Sequence, residues 1–266
     1  DSAAGCLAES AHGRAGVPQY LLNITDRAAL RRFLASGFDS LHRSVPAETS
    51  RRLVQSLNCA ACHDRDTTRS PREIIVTEES GTGLPPDILP VLTWTGEKLH
   101  AHWTEQFLSG HGPKQLRSWL KTRMPAFPAY ARAMSQGLAA EHGIVSSPPE
   151  SESPDPELAQ IGDRLTRGNG GLDCRQCHGV GSEEPRGDDR TKIALGINFS
   201  HVRERLRHDF YKRFVLDPPR FDRFTKMPKL AVDGQSTKAT GILDGDARQQ
   251  FEAVWNFIRA THESPR

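Results

Sequence analysis

Cys59-Ala60-Ala61-Cys62-His63 and Cys174-Arg175-Gln176-Cys177-His178 are two copies of one pentapeptide pattern, Cys-x-x-Cys-His. Two residues between the cysteines make one turn of helix, which brings both sulfurs to one side and swings the next imidazole beneath them. This is the attachment signature for c-type haem, in which the thiols bond covalently to the porphyrin and the adjacent His ligates the iron. The residues predict two haem c groups, one on Cys59, Cys62 and His63, the other on Cys174, Cys177 and His178. A zinc ribbon also uses Cys-x-x-Cys pairs, but usually about 15–20 residues apart, and Cys62 and Cys174 are far more widely separated. A thioredoxin-like redox pair needs a single motif beside a βαβ pattern, which this sequence does not supply.

An electron-transfer haem fills both axial positions of its iron, and His/Met ligation raises its potential. The chain has three methionines. Met124 and Met227 each follow one motif, in matching phrases, Thr122-Arg123-Met124-Pro125 and Thr225-Lys226-Met227-Pro228. A residue before proline is pushed away from the helical region, so both methionines are expected on extended straps. The iron ligands are then His63 with Met124 and His178 with Met227. The plainer reading of a methionine is a filler of core gaps, and it is the one given to Met134, whose helix-prone surroundings have no counterpart in the second half.

The repeat extends between motif and methionine. Glu97-Lys98-Leu99 through Phe107 aligns without a gap on Glu204-Arg205-Leu206 through Phe214, and a spacing of four places Leu99, Trp103 and Phe107 on one helical face, matched by Leu206, Phe210 and Phe214. Before each motif a helix is expected, over 47–57 and 156–167, and after each methionine another, over 129–142 and 245–262. The pattern read from these segments is helical in both halves, with one motif in each.

This order of helix, haem motif, middle helix, methionine strap and closing helix resembles class I cytochrome c, here as a tandem dihaem member over residues 44–266. The resemblance implies an all-α fold of two domains each wrapped around one covalent haem, with first and last helices that cross, and a proline carbonyl that accepts the Nδ1 hydrogen of the proximal His. Pro90 matches that position for His63. Leu195-Gly196-Ile197-Asn198 has no proline, which leaves the partner of His178 open. From their places beside the straps, Trp119 is expected at a haem edge, with Arg123 and Lys226 each at a propionate.

The boundaries follow from composition. Residues 44–145 form the first domain and 157–266 the second. Between them 146–156, rich in Pro, Ser and Glu, reads as a linker. Residues 1–43 are either an extension or the tail of a preceding domain, with Thr25 capping a helix over 26–36, Leu30, Phe33 and Leu34 on one face, and Gly37 as its stop. The net charge of +2, from 35 basic and 33 acidic residues, implies no broad attraction to nucleic acid or membrane. No apolar run approaches the ~18 residues needed to span a bilayer. Arg203, Arg205 and Arg207 read as a solvated helix face, with a docking patch for an acidic partner as the alternative. His100 and His102, two apart on a helix, are not expected to share a face. Haem attachment implies a periplasmic or otherwise extracytoplasmic location and a secretion signal before Asp1. Cys6, the fifth cysteine, reads as a structural thiol, with a lipid-anchor site as the other reading.

Functionally, these features point to a dihaem module relaying single electrons between a redox protein donor and an acceptor, alone or fused to a dehydrogenase. Another class of function with the same motifs is a dihaem enzyme, peroxidase-like with one open iron, or thiosulfate-oxidising with a Cys-ligated one.

Overall fold

The computed structural model describes residues 7, 20–80, 89–113, 116, 117, 120, 122–144, 153–187 and 195–261. Trp119, Cys6 and most of the linker lie outside them. The chain divides into two compact units, Asp1–Val45 and Pro46–Arg266.

Within the first unit, α1 spans Ile24–Ala35. Asn23, rather than Thr25, caps it: its side-chain oxygen accepts from the Asp26 N–H at 2.8 Å, and the Asp26 carboxylate accepts from the Asn23 N–H at 3.3 Å. Asparagine caps better than threonine, and the reciprocal bond adds to that preference. Gly37 ends the helix at φ 74. Leu30, Phe33 and Leu34 are exposed.

The second unit contains α2 (Pro46–Ser56), α3 (Arg72–Ser80), α4 (Thr95–Lys98), α5 (Ala101–Leu108), α6 (Ala131–Glu141), α7 (Pro156–Thr166), α8 (Val202–Arg205), α9 (His208–Leu216), α10 (Pro218–Phe221) and α11 (Ala247–Ala260). Among the described residues there is no strand, only isolated bridges, and the protein is all-α. No described helix is long and apolar enough to cross a membrane. Local chemistry sets the helix starts. Asp155 caps α7 by accepting from the Glu157 and Leu158 N–H groups at 2.8 and 3.1 Å, with Pro156 at the first helical position. Asp246 caps α11 through the Gln249 N–H at 2.8 Å.

In each half the first helix packs on the last, α2 on α6 and α7 on α11. Both crossings depend on a glycine. A Cβ at Gly137 of α6 would stand 2.3 Å from the Pro46 carbonyl oxygen, and one at Gly162 of α7 would stand 2.1 Å from that of Ala253. Along α11, Phe251, Val254, Trp255 and Ile258 are buried in the larger core, with Leu165, Phe199, Phe210 and Tyr211; full burial of such a side chain stabilises by about 1.5–3 kcal/mol. The smaller core of the first half centres on Leu108, Ala131 and Met134, so Met134 does pack as expected.

The expected middle helix is broken in both halves. Leu99 and His100 separate α4 from α5, and Leu206 and Arg207 separate α8 from α9, all four with extended backbone. The reason is a contact between the halves. Leu99 and Leu206 form an antiparallel bridge, the His100 N–H donates to the Arg205 carbonyl at 3.0 Å, and the Arg207 N–H donates to the Lys98 carbonyl at 3.0 Å. Lys98 Nζ lies 5.8 Å from the centre of the Phe210 ring, and the Arg205 guanidinium 5.5 Å from that of Trp103. The Leu99–Leu206 bridge joins repeat equivalents, and the other contacts come in pairs that the repeat exchanges, His100–Arg205 with Arg207–Lys98 and Lys98–Phe210 with Arg205–Trp103, so the two halves meet about a local pseudo-two-fold axis, as in an isologous dimer.

This junction corrects two further expectations. His100 precedes the first turn of α5, and its ring centre lies 5.7 Å from that of His102. Arg205 is buried, at 5% exposure, and is no part of a solvated face.

Candidate functional site

Each Cys-x-x-Cys-His segment opens on a residue in the left-handed region, Asn58 at φ 53, ψ 41 and Asp173 at φ 60, ψ 36. Asn and Asp tolerate that conformation better than other side-chain-bearing residues. A single 3₁₀ turn follows, over Cys59–Ala61 and Cys174–Gln176. Its bonds match in the two copies: the His63 N–H donates to the Cys59 carbonyl at 3.0 Å, and the His178 N–H to that of Cys174 at 3.0 Å. After each histidine the chain doubles back in a tight turn, with paired bonds between Arg65 and Thr68 and between Val180 and Glu183.

The imidazoles are held the same way. His63 Nδ1 donates to the Pro90 carbonyl at 2.8 Å, as the resemblance implies, and His178 Nδ1 donates to the Ile197 carbonyl at 2.7 Å. The equivalence of Pro90 and Ile197 is visible in the backbone two residues on: the Leu92 N–H bonds the Asp64 carbonyl and the Phe199 N–H bonds that of Gly179, both at 2.9 Å. A carbonyl can only accept, so Nδ1 carries the hydrogen and Nε2 keeps its lone pair. Burial pushes both histidines below the ordinary imidazole range, while the carbonyl bonds act in the opposite direction. The His178 ring also stacks on Phe199, centres 4.8 Å apart. On Gly196 there is no room for a side chain, because a Cβ would stand 2.3 Å from His178 Cε1.

Both turns are tied to the helix crossings. Arg65 pairs with Glu141 of α6, which also accepts from Ser50 of α2. Arg175 pairs with Asp163 of α7, and its Nε donates to Thr166 Oγ1 at 3.0 Å. Among the described residues no two cysteines are joined as a disulfide. Loss of solvation against the larger core pushes the pKa of half-buried Cys174 up to about 12, and the same effect raises Cys59 and Cys177. Each turn therefore presents two cysteine sulfurs and one imidazole lone pair. Among the described residues no three His, Cys, Asp or Glu converge as a separate metal cluster.

Both strap methionines lie outside helices, but their settings differ. Met227 is half-buried against the larger core, whereas Met124 is 37% exposed. Arg123 donates to the Leu120 carbonyl at 3.1 Å, and Lys226 is exposed. Sequence reasoning missed Gly196, Ile197 and Phe199 around His178. It also missed Asn58 and Asp173, although a residue tolerant of the left-handed region just before each motif was a readable signal. The chain matches no known protein family, no curated protein and no solved structure.

Proposed function

We propose that the chain is an extracytoplasmic dihaem electron carrier that relays single electrons between a donor and an acceptor protein. What supports this reading most is the duplicated donor geometry: two dissimilar sequences build the same turn, the same Nδ1-to-carbonyl bond and the same free Nε2. The donor set fits a covalently attached haem. Cys59 with Cys62, and Cys174 with Cys177, would hold the porphyrin, and His63 and His178 would ligate the metal. Bound haem supplies a one-electron ferric/ferrous couple.

The chain's own residues do the rest. The Pro90 and Ile197 carbonyls fix each imidazole tautomer and raise its basicity as a ligand. Phe199 stacks on the His178 ring and Gly196 lies against it, and the Arg65–Glu141 and Arg175–Asp163 pairs lock each turn to its helices. Rigid donors keep the geometry constant through a change of charge. Met124 and Met227 are the proposed sixth ligands.

The test is optical and magnetic spectroscopy of the oxidised protein made by an exporting, haem-attaching host. A near-red sulfur-to-iron band at two-haem intensity is expected, halved in Met124→Ala and in Met227→Ala. An unchanged band in both variants rejects the methionine assignment. The exposure of Met124, against the packed Met227, favours one second reading: a dihaem enzyme whose first site is open to a small substrate. A high-spin component that binds carbon monoxide at the His63 site would select it.

A further inference from the structure

The pseudo-two-fold axis brings together positive charges that, among the described residues, are not matched one for one by carboxylates acting on them. Lys98 and Arg205 are repeat equivalents on either side of the Leu99–Leu206 bridge, and Arg117 joins them from the irregular segment after α5. The charge of Arg117 acts on both Lys98 and Arg205, and Asp222 is the carboxylate that acts on Lys98 and Arg117. Arg205 is 5% exposed, and its Nε is buried with no hydrogen-bond partner among the described residues. Burial first, and neighbouring cations second, push Lys98 down to about 7 and Arg205 to about 9.

A buried guanidinium with an unpartnered N–H is costly unless an anion neutralises it. The face of Trp103 offsets part of that cost, but it leaves the in-plane Nε–H without an acceptor among the described residues. A guanidinium matches an oxyanion in two dimensions, and an ammonium near enough to feel its charge adds a point charge. We propose that Lys98, Arg117 and Arg205 form an oxyanion-binding site at the junction of the two halves, taking a carboxylate or phosphate group.

Two sources could supply that group. One is a haem carboxylate, which rests on the function proposed above and is compatible with the reach of Arg117's charge to His63. The other is a diffusible oxyanion such as inorganic phosphate. Either occupant would make the charge on Arg205 part of the interaction between the halves.

The experiment uses the full chain as exported, with Arg205→Gln, Arg205→Lys and Lys98→Gln variants. Thermal unfolding is followed against inorganic phosphate at constant ionic strength, and the haem potentials are measured in parallel. A diffusible oxyanion predicts a midpoint that rises with phosphate in the native chain and stays flat in Arg205→Gln. A haem carboxylate predicts no phosphate response, but loss of the cation favours the oxidised state and lowers at least one potential. The expected size is about a tenfold change in the one-electron equilibrium, about 59 mV, largely restored in Arg205→Lys. Should Arg205→Gln fail to fold, Lys98→Gln gives the same two readouts. Both haems present with neither response overturns the site and leaves the proposed function standing; a phosphate response in a chain without covalent haem does the reverse.

Discussion

Gly196 lies flat against the His178 imidazole, and the space for a methyl group is already taken by that ring. Gly196→Ala should displace the ring at a cost of about 1–3 kcal/mol. If the proposed function holds, the spectrum of the haem at His178 should change while that at His63 keeps its own, because the repeat has Leu89 rather than glycine at the equivalent position of the first half. Equal disturbance of both haems, or of neither, would contradict this. His100 gives a pH-dependent counterpart. Burial first, then His102 in the first turn of α5 and Arg207 across the junction, hold its imidazole down to about 4, below the ordinary imidazole range. As pH falls below about 6.5 the unfolded chain takes up the proton first, so stability should drop between about 6.5 and 4 and then level off. Denaturant midpoints should show a shallower loss in His100→Gln over that window; parallel curves would argue against it. At this scale the motifs were legible because their chemistry depends on residue types at fixed local spacing. The acceptor for His178 was not, since it is a backbone carbonyl, which every residue possesses, and only the folded path brings that of Ile197 to the ring.

Helices were readable where a cap and a periodic apolar stripe coincide, as in α7 and α11, and misread where a distant segment decides. Leu99, Trp103 and Phe107 fit one unbroken helical stripe, yet the main chain at Leu99 and His100 is extended to pair with Leu206 and Arg205. Local periodicity carries no record of such a pairing. The buried Arg205 was hidden for the same reason, because a run of arginines looks solvated until a second aromatic-bearing helix is set against it. Close helix approach is testable at Gly162, where a Cβ would meet Ala253 backbone at 2.1 Å and the Phe257 Cβ at 2.7 Å. Backbone cannot move aside cheaply, so Gly162→Ala should destabilise by about 1–3 kcal/mol, despite alanine's better helix propensity. Urea unfolding would show it as a lower midpoint, and a midpoint at or above the native one would refute the close contact.

The two halves form one compact unit, and beside the bridge, outside the repeat symmetry, Trp94 packs against Phe221 and Glu97 pairs with Arg213. Proline tests that junction with little strain. Arg207 already has φ −74, and Leu206 before it is extended, so Arg207→Pro deletes one N–H and little else of the backbone. Relative to Arg207→Ala it should cost about 0.5–1.5 kcal/mol; identical stabilities would mean that the bond to the Lys98 carbonyl contributes nothing. The whole account stands on covalent haem at both turns, and the mass of the intact, denatured chain exported by a haem-attaching host tests that most directly. The account predicts the polypeptide mass plus two haems, falling to one when Cys59 and Cys62, or Cys174 and Cys177, are replaced by alanine. A chain at its bare polypeptide mass, with its motif thiols still titratable, would contradict it.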